Sequence, residues 1–111
     1  MAKILWVAND CLGKEVELSD ATWKSHIAKR GYMAPFLGQV RETVEGPDVC
    51  IRDSTDALHY YRLGILGGAR SKLYLHVVVR QGRGGRSRVV SFWACRTPDP
   101  GEEILWFKKE N

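Results

Sequence analysis

The sequence predicts an α+β domain in which two N-terminal helices pack on one face of a mostly antiparallel β-sheet. Two observations predict this class. Apolar residues recur at helical spacing early in the chain, and from Val49 onward they alternate with polar residues as they do in strands. The length of 111 residues fits a single core. We therefore expect one domain, residues 1–111, with a strand segment at 1–18, helices at 19–46 and the antiparallel sheet at 48–107.

The first predicted element is a short or edge strand with an apolar sequence, AKILWVANDC, from Ala2 to Cys11. An Asn-Asp pair and then Gly13 mark a turn after it, because these residues favour turn conformations. The short segment Val16–Leu18 is predicted to form the second arm of a hairpin.

Both helices are predicted from capping residues and spacing. Ser19 is a good N-cap, and Trp23 and Ile27 lie four residues apart on one helical face. Gly31 ends this first helix, because glycine readily adopts the left-handed conformation that follows a helix. A second helix is predicted to begin near Ala34–Pro35 and to end at Gly46–Pro47, with its apolar positions at Phe36, Leu37, Val40 and Val44.

Later strands are predicted from alternation and from β-prone residues. They lie at Val49–Arg52, Leu58–Leu63, Lys72–Arg80, Arg88–Arg96 and Ile104–Phe107, with a turn at Pro98–Gly101. The period of two is clearest in the middle strand. One of its faces carries Leu73, Leu75, Val77 and Val79, and the other carries Lys72, Tyr74, His76, Val78 and Arg80. We expect the helices to cover the leucine–valine face.

The next strand is predicted to divide in the same way. Val90, Phe92 and Ala94 share one face, and Val89, Ser91, Trp93 and Cys95 share the other. The sheet face away from the helices is then expected to be open, and to present Tyr74, His76, Arg80, Ser91 and Trp93.

Charge is divided very unevenly along the chain. The segment from Ala57 to Pro98 has no aspartate or glutamate, yet it holds eight of the seventeen lysines and arginines. These eight are Arg62, Arg70, Lys72, Arg80, Arg83, Arg86, Arg88 and Arg96. A surface of one sign attracts an anionic polymer, and a nucleic-acid backbone is the most plausible partner. The alternative is a basic loop that only aids solubility.

Several function classes are disfavoured. The chain has no apolar run long enough to span a membrane and no leader-like N-terminus, so we expect a cytoplasmic protein without a membrane partner. Cys11, Cys50 and Cys95 form neither a CxxC pair nor a Cys/His cluster, so we expect reduced thiols and no metal or other cofactor.

A basic sheet face with aromatic and hydroxyl residues is suited to RNA. Bases stack on aromatic rings, and arginine clamps phosphate with two hydrogen bonds. Such a face can also cut RNA without a metal, since the ribose 2′-hydroxyl is the nucleophile and a histidine can move the proton. His26 and His76 are the candidate histidines, and His59 has the weakest case. Tyr60 and Tyr61 point to opposite faces, and the sequence does not fix which one faces the core.

The order of motifs resembles a known family. The string LSDATWKSHIAKRGYMAPFLGQVRETVEGPDVCIRD, followed by YYRL, LYLHVVVR and RVVSFWAC, is similar to the phage-associated branch of the barnase–EndoU–colicin–RelE-like (BECR) nucleases. The resemblance runs from about Leu18 to Trp106. It implies a metal-independent endoribonuclease or toxin-like nuclease domain, with a helix histidine at His26, a strand-ending cation at Arg80 and a late hydroxyl at Ser91.

The implied site has two parts. The catalytic candidates are His26, Arg80, Ser91, Tyr61 and His76. The candidates for substrate binding are Arg30, Tyr60, Arg62, Lys72, Tyr74, Arg83, Arg86, Arg88 and Trp93.

One departure from the family affects the expected activity. Members are expected to carry His-Pro-Glu after the first helix, whereas this chain has Arg30-Gly31-Tyr32. The alternative function is therefore a catalytically inactive module on the same fold that binds RNA or another protein. An acidic inhibitor or partner protein is a further expected ligand of the basic surface.

Overall fold

The computed structural model describes residues 3–98 and 103–108, and for Arg83 it describes the backbone alone. Within these ranges the strands are β1 Ile4–Asn9, β2 Glu15–Ser19, β3 Val49–Arg52, β4 Leu58–Leu63, β5 Tyr74–Gln81, β6 Ser87–Cys95 and β7 Glu103–Phe107. The helices are α1 Asp20–Lys29 and α2 Leu37–Glu45, joined by a 3₁₀ segment at Gly31–Phe36. The predicted turn at 98–101 falls largely outside the described residues.

The described strands form one mixed sheet in the order β1-β2-β6-β5-β4-β3-β7. The pairing of β2 with β6 is parallel, and the other neighbouring strands are antiparallel. The predicted α+β class is confirmed. Two details were wrong: the helices lie between β2 and β3, and the strands at 4–19 belong to the sheet. Parallel strands require a long crossover, and here the connection from β2 to its parallel partner β6 runs through both helices and β3 to β5.

The first helix begins where the sequence predicts. The Ser19 hydroxyl accepts a hydrogen bond from the Thr22 backbone N–H at 3.2 Å, which caps the helix start. The second α-helix begins at Leu37, a little later than predicted, because the chain around Pro35 forms the tighter 3₁₀ segment. That segment still contributes to the core, since Met33 is fully buried.

The helices cover one face of the sheet, which we call the core face. Trp23, Met33, Val40 and Val44 are buried with Leu75, Val77 and Val79 of β5. The predicted covered side of this strand is therefore confirmed for the three β5 positions, while Lys72 and Leu73 precede the strand. The opposite side is the outer face. Its residues on the four central strands include Ile51, His59, Tyr61, Tyr74, His76, Val78, Arg80, Arg88, Ser91 and Trp93.

A β-bulge corrects the predicted faces of β6. Val78 pairs with Ser91, but its neighbour Val79 pairs with Val89, so Val90 is an extra residue in the ladder. Val89 and Phe92 are consequently both buried in the core, although the alternation predicts opposite faces for them. Ser91 stays on the outer face, as predicted.

The turn between β1 and β2 is anchored to β4 by a buried carboxylate. Asp10 is 6% exposed and accepts hydrogen bonds from the backbone N–H groups of Leu12 and Lys14 and from the Tyr60 hydroxyl. Burial and this bond raise the pKa of Tyr60 well above its usual range. The contact places Tyr60 in the core, so Tyr61 is the tyrosine on the outer face.

Candidate nucleic-acid interface

Three rings lie side by side across the middle of the outer face. Tyr61, His76 and Trp93 are consecutive partners in the registers of β4, β5 and β6. The Tyr61 and His76 rings stack with their centroids 4.1 Å apart, and Trp93 meets His76 edge-on at 4.2 Å. Tyr74 contacts Tyr61 edge-on at 6.4 Å. The predicted polar and aromatic residues are therefore brought together.

The outer face is less open than the sequence suggests. Tyr61 is 1% exposed and His76 is 5% exposed, whereas Tyr74 and Trp93 are half-buried. The prediction of a fully open face was wrong, because closely packed aromatic rings shield one another from water. Of the four rings, Trp93 and Tyr74 are the more accessible to solvent.

A chain of hydrogen bonds runs from Asp53 to His76. The Asp53 carboxylate accepts from His59 Nε2 at 2.7 Å, and His59 Nδ1 lies 2.8 Å from His76 Nε2. Backbone N–H groups of Thr55 and Ala57 also donate to Asp53, which fixes the carboxylate at the turn after β3. The hydrogen bond from His59 is the main cause that holds the pKa of Asp53 far below its usual range.

The geometry of this chain limits how many protons it holds. Two ring nitrogens 2.8 Å apart form a hydrogen bond only when one proton lies between them. The ionised Asp53 carboxylate is an acceptor, so His59 Nε2 carries a proton. A second proton on the histidine pair would place two N–H groups against each other. The bond between the two rings therefore holds a single proton.

Two arginines face each other at one end of the outer face. Arg80 of β5 is the direct cross-strand partner of Arg88 of β6, and both side chains are exposed. Like charges at directly opposite positions destabilise a sheet, and a bound anion removes that repulsion. Ser91 lies between this pair and Trp93 along β6. Arg80 and Arg88, both candidates from the sequence, therefore lie side by side, and Glu17 of β2 is the other register partner of Arg88.

The neighbouring arginine is partly neutralised. Arg86 lies 3.6 Å from a carboxylate oxygen of Glu15 and 3.8 Å from one of Glu17. These acids come from β2, outside the segment that lacks carboxylates, so the parallel pairing with β6 supplies its counter-charge. A concave pocket beside them is lined by Glu17, Gly82, Arg86 and Arg88. The positive charge of Arg86 is therefore partly offset within the protein, which the sequence analysis did not anticipate.

The structure does not bring His26 together with Arg80. The His26 ring lies 5.0 Å from the ring of Phe92, whose side chain points to the core face, and its Nδ1 donates to the Thr22 carbonyl at 2.9 Å. Arg80 is on the outer face, and it lies three residues beyond Val77, the partner of Phe92. This corresponds to about 10 Å along the strand. One phosphate would not contact both side chains in this arrangement.

The remaining predicted binding residues are divided among several places. Arg30 follows α1, and its guanidinium lies 5.6 Å from the centre of the Trp93 ring. Lys72 is exposed just before β5, whereas Arg62 donates to the Glu42 carbonyl at 3.3 Å on the helix side. The prediction that Tyr60 contacts a substrate was wrong, because this side chain is fully buried. The side chain of Arg83 lies outside the described part of the structure.

Two features were missed by the sequence analysis. Asp53 was not considered, although Asp53 and His59 flank a short turn and so meet across the β3–β4 hairpin. Cys11 and Cys50 are distant in sequence but their thiols interact. The hydrogen bond from Cys50 lowers the pKa of Cys11, and the same bond together with burial raises the pKa of Cys50.

Within residues 3–98 and 103–108, no group of three or more His, Cys, Asp or Glu side chains has a metal-binding arrangement. Neither helix in the described part of the chain has the length and apolar character needed to cross a bilayer.

Comparison with known proteins identifies no relative. No protein-family model matches the chain, and neither a curated protein nor a solved structure is significantly similar to it. The chemistry of the outer face is therefore what bears on function.

Proposed function

We propose that the outer face of the sheet binds single-stranded RNA. The observation that carries this proposal is the exposed cross-strand pair of Arg80 and Arg88 on the same face as the half-buried rings of Trp93 and Tyr74. Paired cations bind phosphate, and aromatic side chains on a sheet stack with unpaired bases. Both requirements for binding a single strand therefore meet on one surface.

Basic side chains lie at both ends of strands β5 and β6. Arg80 and Arg88 are exposed at one end of β5 and β6, and Lys72 and Arg96 are exposed at the other. Lys72 and Arg80 are eight positions apart, which is about 26 Å at the usual rise per residue. An extended strand that follows β5 and β6 would place phosphates at the two ends and bases against the rings between them.

The family resemblance supports the same ligand. BECR nucleases act on RNA, and the strings that carry the resemblance include β5 and β6, the strands of the proposed surface. The order of two helices followed by antiparallel strands β3 to β7 is compatible with that fold. Membership of the family is part of this proposal.

We expect the affinity for RNA to fall steeply with salt. Four phosphate contacts release counterions with a log–log slope near −3, which is roughly a 50-fold loss between about 50 and 200 mM salt. The measurement is fluorescence anisotropy with a labelled single-stranded RNA of mixed sequence, in EDTA, at several salt concentrations. A protein that leaves the anisotropy unchanged at low salt, or an affinity that does not depend on salt, would refute the proposal.

RNA cleavage is a second candidate function, favoured by the chain of Asp53, His59 and His76. A histidine positioned by a carboxylate is the arrangement that general acid–base catalysis uses. His59 is the more accessible of the two histidines, with a side chain 20% exposed. We propose that the substrate takes the place of His76 at Nδ1 of His59, so that His59, held by Asp53 at Nε2, exchanges a proton with the substrate through Nδ1.

The cleavage hypothesis predicts a large effect at His59 and none at His26. His59→Ala is expected to reduce the cleavage rate about a hundredfold, the usual effect of losing a proton-transfer group. Cleavage of labelled RNA in EDTA is measured against pH for the wild type, His59→Ala and His26→Ala, with thermal melts to confirm folding.

The two histidine variants separate the possible outcomes. If only His26→Ala lost cleavage activity, the proton-transfer group would lie on the helix side of the sheet. A wild type that binds RNA but does not cleave it would leave RNA binding as the function of the outer face.

A further inference from the structure

The edge of the sheet at β7 has the features of a binding surface that RNA recognition does not use. In the described part of the chain this strand is the last in the sheet, with β3 on its inner side. An edge strand presents backbone N–H and C=O groups that are available to another strand. The edge is also apolar, since Ile104 is 58% exposed and Phe107 is 61% exposed.

A bulge places both apolar side chains on the outer face. Ile104 pairs with Ile51 and Phe107 pairs with Val49, and the register shifts between these two pairs. Ile51 and Val49 are two residues apart on β3, so they point to the same side. Ile104 and Phe107 therefore share the outer face even though they are three residues apart. Leu63, which is 48% exposed, lines a pocket with Lys108 and extends the apolar area onto β4.

We propose that the β7 edge joins two copies of this chain in an antiparallel pair. The sequence of the strand, EILWFK from Glu103 to Lys108, is self-complementary in one register. Glu103 of one copy then lies opposite Lys108 of the other, and Ile104 lies opposite Phe107. The charged ends attract each other, and the apolar side chains cover each other on the outer face.

This self-complementarity favours a second copy over an unrelated strand. A two-fold symmetric contact repeats each residue pair, so the Glu103–Lys108 attraction and the Ile104–Phe107 contact each occur twice. Arg52 already donates to Glu103, but a carboxylate has acceptor sites for both cations. The two sheets would join edge to edge with their outer faces on the same side, so that two RNA surfaces would be available to one strand.

Charge exchange provides the test. Glu103→Lys places lysines opposite each other at both ends of the contact, and Lys108→Glu places glutamates there. Each variant alone is expected to weaken dimerisation at least tenfold, and an equimolar mixture of the two is expected to restore it as a heterodimer. Sedimentation equilibrium of wild type, variants and mixture measures this, and thermal melts confirm that each variant is folded.

The opposite edge of the sheet supplies the control. Ile4 is 38% exposed on β1, so Ile4→Lys introduces the same type of charge at the other end of the sheet and should leave the dimer unchanged. Phe107→Lys should give monomers. A wild type that stays monomeric up to about 1 mM, or a mixture that stays monomeric, overturns the proposal. None of these outcomes depends on RNA binding, so the dimer and the proposed function are tested separately.

Discussion

Arg80→Glu is expected to weaken RNA binding roughly tenfold or more without destabilising the protein. Arg80 faces Arg88 directly across β5 and β6, and both are exposed. The substitution turns a repulsive cross-strand pair into an attractive one, which contributes about 0.2–1 kcal/mol to a sheet. The free energy of unfolding should therefore stay the same or rise.

Because the affinity is expected to fall while the stability stays the same or rises, the result distinguishes loss of a binding site from loss of the fold. Loss of a fold lowers both affinity and stability, whereas loss of an anion site lowers affinity alone. Arg41→Glu is the matched control, because it changes the net charge equally on the exposed side of α2. Arg41 lies 3.4 Å from Glu45, so this control should lose a few tenths of a kcal/mol of stability and keep its affinity.

Affinity is measured by anisotropy in low salt, and stability by urea unfolding of the same samples. An Arg80→Glu protein that binds RNA as tightly as the wild type would place the binding surface elsewhere. If Arg41→Glu reduced the affinity as much as Arg80→Glu, binding would follow net charge and no local site would be needed. The salt dependence of the Arg80 variant should also be shallower by at least one counterion.

The sequence predicts strand faces well where the two faces differ in polarity. In β5, Tyr74, His76 and Arg80 mark one face, and the structure buries Leu75, Val77 and Val79 on the other, the core face. In β6 the neighbours Val89 and Val90 have equal hydropathy. Nothing in their sequence marks the bulge, so the alternation assigned Val89 to the wrong face.

In the candidate site, too, local alternation predicts the face of a residue but not its partners on other strands. The outer-face positions of His76, Arg80, Ser91 and Trp93 follow from local alternation and were predicted. The chain from Asp53 through His59 to His76 depends on strand pairing, because His59 and His76 are 17 residues apart and meet only across β4 and β5. Burial of the outer face was missed for a related reason, since it results from rings on three different strands.

The position of the outer-face tyrosine depends on another long-range contact. Tyr60 and Tyr61 are identical in chemistry, so the sequence offers no reason to bury either one. Asp10, fifty residues away, accepts a hydrogen bond from the Tyr60 hydroxyl and thereby fixes which ring enters the core. The N-terminal hairpin therefore helps to determine the register of β4, and with it the position of Tyr61 next to His76.

Asp10→Ala is accordingly expected to lower the free energy of unfolding by about 3 kcal/mol. The carboxylate is 6% exposed and accepts three hydrogen bonds, and bonds to a charged group contribute about 1.5–3 kcal/mol each before water replaces part of the loss. A domain of this size is typically stable by about 5–15 kcal/mol, so a large share of its stability depends on this one residue. Urea unfolding at neutral pH measures the change.

A double-mutant cycle with Tyr60→Phe isolates the contact between the hairpin and β4. Tyr60→Phe should cost about 1–2 kcal/mol, and the double variant should be more stable than the sum of the two losses implies, because each single change leaves the other partner buried without its bond. Glu42→Ala on the exposed surface of α2 is the control and should change stability by less than about 0.5 kcal/mol. Strictly additive losses at Asp10 and Tyr60 would mean that the hydrogen bond does not hold the hairpin against β4, and the register of the outer face would then need another cause.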